Sequence, residues 1–171
     1  MRGCSCRNGE LVGKDVTPDV VGSFVAQEEV GLRGESVAVK TVKPDVSIVF
    51  EGSPADDTLN SSGFSQTSLK KGPMLRHIDG KMIANPRFQR FTLDIAQELN
   101  IPVQEAVRFS GSTNGAVINI SEQGIPVIVI GIPVRYIHTH CGYASYEDFE
   151  NTVKLGLALI ERLTEERISS F

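Results

Sequence analysis

The chain has 171 residues, enough for one domain with one buried core. Hydrophobic residues make up 40%, charged residues 22%, and the net charge is −4, which excludes a disordered tail, a disulfide-stapled toxin and a basic nucleic-acid-binding face. No apolar run approaches the roughly 18 residues of a membrane span, and the lack of Trp disfavours a base-stacking platform.

Residues 1–17 are polar and aperiodic and read as loop. Cys4 and Cys6 lie there; with Cys141 they make an odd count without framework spacing, which points to reduced thiols and a cytoplasmic setting. No apolar stretch follows Arg2 and Arg7, so no secretory signal is read. Residues 19–26 (DVVGSFVA) are apolar and β-branched and predict a buried strand ending at Gln27-Glu28-Glu29. A short helix is expected over 36–42, stopped by Pro44, and a second strand over 45–50, running into Glu51. Residues 53–72 are rich in Ser, Asp, Asn and Gly and read as a long surface loop, a length that is usually functional or mobile.

A short strand is predicted over 73–78. Asn85-Pro86 then supplies a helix N-cap and a first-turn proline, with Phe88, Phe91, Ile95 and Leu99 at helical spacing. Residues 104–109 read as strand, 115–123 as helix, and VIVIGI (127–132) as a central strand buried on both faces. It leads into Arg135-Tyr136-Ile137-His138-Thr139-His140. Ser145 with Asp148 resembles a capping box before a last amphipathic helix through Phe149, Val153, Leu157, Ile160 and Leu163. Alternating strands and helices predict an α/β layered sandwich with a mixed, largely parallel sheet.

Three expected strand ends carry metal-ligand side chains: Glu28/Glu29, Glu51 and His138/His140. Ligands collect beyond strand ends in such sheets. Carboxylates with imidazole suit zinc, cobalt or manganese, one carboxylate being left as general base. Each feature also has a plain alternative. A Glu-Glu pair is common on solvated surfaces, and Glu51 could merely begin a loop. On a strand, His138 and His140 share a face and could be a structural pair. His77 has no acidic neighbour in sequence and reads as structural. Asp56 and Asp57 could be ligands or loop-solvating groups.

Five motifs in fixed order, QEEVGLRG, VFEGSPADD, GPMLRHIDGKMIANPRF, SGSTNGA and IPVRYIHTH, resemble the tetrahedral metalloaminopeptidases of the glutamyl or deblocking aminopeptidase family, some of which carry the label endoglucanase. The likeness runs from about residue 20 to about residue 163. It implies an α/β sandwich holding two divalent metals (zinc, cobalt or manganese), peptide substrates and a homo-oligomer. By the same likeness Glu28 is the proton acceptor, Glu29 and His138 are ligands of one metal, and Glu51 is a ligand of the other. His140 is not a ligand in that pattern.

The family also uses an early His-x-Asp histidine and an aspartate bridging the metals, both before the Glu-Glu pair. Here the first His is His77 and the first acid Glu10, so that motif is absent. The inserted oligomerisation domain is missing too, and Asn114 stands where many members have Asp. The chain thus resembles the C-terminal half of the family, with residues 18–171 as part of the catalytic domain. Three functions compete: a metalloaminopeptidase fragment, a non-catalytic truncated or split-gene product needing its other half, and a glycoside hydrolase using Glu28 or Glu29 with Glu51. The last needs paired carboxylates and usually aromatic platforms, which a Trp-free chain does not offer.

Overall fold

The computed structural model describes residues 18–61 and 63–171. In chain order the elements are α1 (Arg33–Val42), β1 (Ser47–Pro54), β2 (Met74–Ile78), α2 (Pro86–Glu98), β3 (Gln104–Val107), α3 (Gly115–Asn119), β4 (Val127–Arg135), β5 (Tyr143–Ala144), α4 (Tyr146–Arg162) and α5 (Glu165–Ser169). One sheet runs β1-β4-β2-β3, with β5 added against β4. The longest seam, β1 on β4, is parallel from Ser47 opposite Val127 to Pro54 opposite Val134. β2 pairs with β3 in parallel and with β4 in antiparallel fashion, so the sheet is mixed and mostly parallel.

The VIVI run organises the layers because side chains alternate along a strand. Ile128 and Ile130 point to one face and pack with Phe88 and Ile95 of α2 and Leu155 and Leu159 of α4. Val127 and Val129 point to the other face and pack with Val39 of α1 and Ala116 and Ile118 of α3. All four β4 side chains are fully buried, which accounts for a run with no polar alternation. The α/β sandwich is therefore the observed fold. Further along β4, Gly131 lies against β1: a Cβ there would come within 2.1 Å of Ser53 Oγ, so no larger residue fits without moving β1.

Asn85 caps α2 as its sequence predicts, its side-chain oxygen accepting from Arg87 N and Phe88 N. Four expectations change. Residues 19–26 form no strand: they find no ladder partner among the described residues, and Val20, Val21 and Phe24 are exposed. β-Branched composition alone does not satisfy backbone groups. The helix after SGSTNG is a single turn-and-a-half, ending at Asn119. Ser145 occupies the N-cap of α4 without a side-chain bond. Asp148, expected to reach back within that cap, is fully buried and instead accepts from Lys70 N and Gly72 N at 2.8 Å each, pinning the end of the long loop to α4. The expectation that residues 1–17 are loop lies outside the described residues.

Candidate metal centre

Glu28 and Glu29 sit on a turn at the head of α1, not at a strand end. Gly31 N and Leu32 N both donate to Glu28 O, and Gly34 N donates to Ala26 O. Gly34 is obligatory here, because a Cβ would lie 2.3 Å from that same oxygen. Glu51 lies inside β1, opposite Gly131. His138 follows β4 in a turn rather than continuing the strand. Tyr136 and His138 both take left-handed φ values, 59° and 64°, so the strand geometry expected for His138 and His140 does not occur.

Glu29 Oε1 lies 3.4 Å from His138 Nδ1, with both side chains largely exposed. Glu28 is close enough to feel Glu29, His138, Arg76 and Glu51. Burial, then the Glu29 charge, raises the Glu28 carboxyl above its ordinary range against the pull of His138 and Arg76. Glu51 is the most deeply set of the four. Its Oε1 accepts from Arg76 Nη2 at 2.5 Å and from Ser53 Oγ at 2.9 Å. Burial outweighs both partners and pushes Glu51 up to about 7.

Arg76 was not singled out by sequence reasoning. It is 4% exposed, reaches Asp79 Oδ2 at 3.3 Å through Nη1, and leaves its buried Nε without a partner. Asp79 is itself fixed by Lys81 N and Met82 N. The available signal was the alternation of β2, which puts Arg76 on the opposite sheet face from core residue Leu75 and on the same face as its partner Val129.

The remaining candidates have structural work. His77 Nε2 meets Glu105 Oε2 of β3 at 2.6 Å, a partner remote in sequence. Asp56 accepts from Ser65 Oγ, Thr67 N and Gln66 N, and those bonds hold its carboxyl below the usual range despite burial. Asp57 is gripped by the two-pronged fork of Arg135, which lowers its carboxyl. Asn114 precedes α3 without capping it, and its buried Oδ1 has no partner. His140 and Cys141 are exposed.

Carboxylate oxygens and an imidazole fit a zinc-like ion in kind. They fall short in number: among the described residues no three His, Cys, Asp or Glu side chains gather into a metal-holding group. Also among the described residues, no helix is long and apolar enough to cross a membrane.

Comparison with known proteins decides the family. The profile of the M42 glutamyl aminopeptidases matches residues 9–155. The chain belongs to that family. It is 35% identical to the lysyl aminopeptidase of Pyrococcus furiosus over 80% of this chain and 39% of that protein. It is 33% identical to the glutamyl aminopeptidase of Lactococcus lactis, over 93% of this chain and 44% of that one. The crystal structure of the TET aminopeptidase from a marine sediment thaumarchaeote superposes with a TM-score of 0.90 at 36% identity, covering 94% of this chain and 45% of that one. The chain of this M42 member thus spans about two-fifths of the length of the relatives it matches.

Proposed function

We propose that residues 18–171 are the C-terminal part of an aminopeptidase catalytic domain and carry part of a two-metal site for removing N-terminal residues from peptides. The observation that carries this reading is the approach of Glu29 and His138, from the turn before α1 and the turn after β4, beside Glu28. Glu29 and His138 would hold one divalent ion and Glu51 would take part in holding another, zinc, cobalt or manganese being compatible with these donors. Bound metal would supply Lewis acidity toward a peptide carbonyl.

Glu28 is the general base in this reading. Its raised proton affinity suits a group that must take a proton from water on one carboxylate oxygen and pass it to the leaving amine. Arg76, set between Glu51 and Asp79, keeps Glu51 oriented with one oxygen engaged and the other free. The free α-amine of a peptide would be met by the carboxylates.

Among the described residues the ligand set is incomplete, and in this reading the N-terminal part of a complete relative would supply the rest. The glycoside hydrolase reading is weaker: a chain without Trp offers few aromatic platforms for a sugar, and an imidazole, His138, stands beside the Glu pair. The test is titration of the chain with zinc and with cobalt, followed by an aminoacyl-anilide assay, with and without the N-terminal part of a complete relative. Recovery of turnover only in the mixture supports the proposal. Absence of turnover in a mixture whose halves demonstrably associate refutes it.

A further inference from the structure

The turn carrying His138 is held by contacts that the metal reading does not use. Asp57, in the loop after β1, faces Arg135, the last residue of β4. Arg135 Nε donates to Asp57 Oδ1 at 2.9 Å and Nη2 donates to Oδ2 at 2.8 Å. Asp57 Oδ2 also accepts from Leu69 N, so the carboxylate is tied to both ends of its own loop. Two residues before it, Ala55 N donates to Val134 O. Immediately after Arg135 the chain enters two left-handed, non-glycine residues, Tyr136 and His138. Such conformations persist only where surrounding contacts over-determine them. Here Thr139 supplies them: its Oγ1 donates to Tyr136 O at 2.6 Å and its N to the same oxygen at 3.2 Å. The Tyr136 ring meets Tyr143 edge-on at 5.8 Å, and Tyr143 is the β5 residue in register with Arg135.

We infer that the Asp57–Arg135 pair and the Thr139 hydroxyl are a positioning device for His138, locking its turn to the loop that follows the Glu51 strand. The inference rests on the proposed role of His138 and adds the residues that place it. A bidentate fork fixes orientation as well as distance, and the two ends it joins are the exit of β1, which carries Glu51, and the exit of β4, which leads to His138. The device therefore sets the spacing of two proposed ligands, Glu51 within β1 and His138 in the turn that follows β4, the strand parallel to it. Groups that orient a ligating imidazole commonly change metal affinity about 10–100-fold when removed.

The experiment follows the imidazole resonances of His138 in the full chain, assigned against His138→Gln, first without metal and then with zinc alone. Asp57→Asn removes the charge at constant size, and Arg135→Lys keeps the charge without the fork. Thr139→Val removes the hydroxyl, and Thr139→Ser restores it. In metal-free protein, Asp57→Asn and Thr139→Val are expected to move the His138 resonance toward that of exposed His140 while His77 stays in place. Arg135→Lys should move it part-way, and Thr139→Ser should not move it. The zinc concentration that half-shifts His138 should rise about tenfold in Asp57→Asn.

An unmoved His138 resonance in both Asp57→Asn and Thr139→Val overturns the inference. If Asp57→Asn unfolds the chain, the Thr139 pair decides it in the same way, because Ser must rescue what Val disturbs. A His138 that shifts as expected without metal, yet ignores zinc even in the wild type, sustains the positioning device and refutes the ligand role instead.

Discussion

Arg76 Nη2 of β2 lies 2.5 Å from Glu51 Oε1 of β1, across the intervening strand β4, and burial still holds the Glu51 proton to about pH 7. In the unfolded chain that carboxyl titrates near its ordinary 4.5. Between those values the folded state binds more protons than the unfolded state. The Glu51 contribution to stability is therefore fully present below about pH 4.5 and lost as pH rises through 7. The span corresponds to about 3 kcal/mol as an upper figure. Subtracting the unfolding free energy of Glu51→Gln from that of the wild type at each pH isolates this contribution. The difference should fall in favour of Gln from pH 4.5 to pH 7, and a flat difference would contradict the buried-proton account.

Glu28 and Glu29 are adjacent but differ in burial, Glu28 being half-buried and Glu29 exposed beside His138. In a complete M42 site Glu28→Gln is expected to keep metal and lose turnover by about 10²–10⁴-fold, since the amide preserves shape but accepts no proton from water. Glu29→Gln should instead weaken metal. Metal content and anilide hydrolysis measured on both variants separate the roles, and equal metal loss in the two would mean that the assignment is reversed.

Asp148 is a buried carboxylate whose two oxygens each serve a loop amide, at Lys70 and at Gly72. Gly72 has φ 84° and sits so tightly on Pro102 that a Cβ would overlap its carbonyl oxygen. Asp148→Ala leaves both amides without acceptors and should cost about 3 kcal/mol. Asp148→Asn retains one acceptor and should cost about half as much. Urea denaturation of the two variants measures the order, which an N-capping role confined to α4 would not produce.

What was legible in the sequence was whatever a local rule dictates. VIVIGI had to be a doubly covered strand because nothing polar interrupts it. Asn85-Pro86 had to open a helix because a capping side chain precedes a proline that needs no amide partner. The run over residues 19–26 was as apolar as β1 and failed as a strand, since strand formation depends on a neighbouring edge that composition does not report. His138 and His140 looked like alternate positions on a strand, but the chain leaves β4 at Arg135 into left-handed residues. The Glu51–Arg76 and Asp57–Arg135 contacts join positions far apart in the chain, and no short-range pattern announces them. The Glu-Glu, Glu51 and His138 positions were legible as candidates because metal-ligand residue types follow apolar runs there and fall within motifs that resemble the family's.

β1 has β4 on one edge and, among the described residues, no strand on the other. Phe50 of that strand is 49% exposed. An open edge beside apolar side chains favours pairing with another chain. Sedimentation of the isolated chain should show concentration-dependent association, and Phe50→Lys, which places a charge at the exposed apolar position of the open strand, should reduce it. A monomer at all concentrations would show that the edge is adequately protected.

The last expectation concerns metal. Glu29 and His138 offer two donors to one proposed centre, and Glu51 offers one to the other with its second oxygen already engaged. Catalytic zinc sites typically use about three protein ligands plus water. Two dications set close together also repel unless anionic ligands lie between them, and among the described residues no three His, Cys, Asp or Glu side chains gather to hold even one ion. The chain alone should therefore bind zinc or cobalt more weakly than micromolar and hydrolyse aminoacyl anilides negligibly. Cobalt titration read by visible absorbance should give the weak, featureless spectrum of a mostly hydrated ion instead of an intense tetrahedral one. Tight binding of two metals per chain with turnover would show that the described residues, or those before them, complete the site without help.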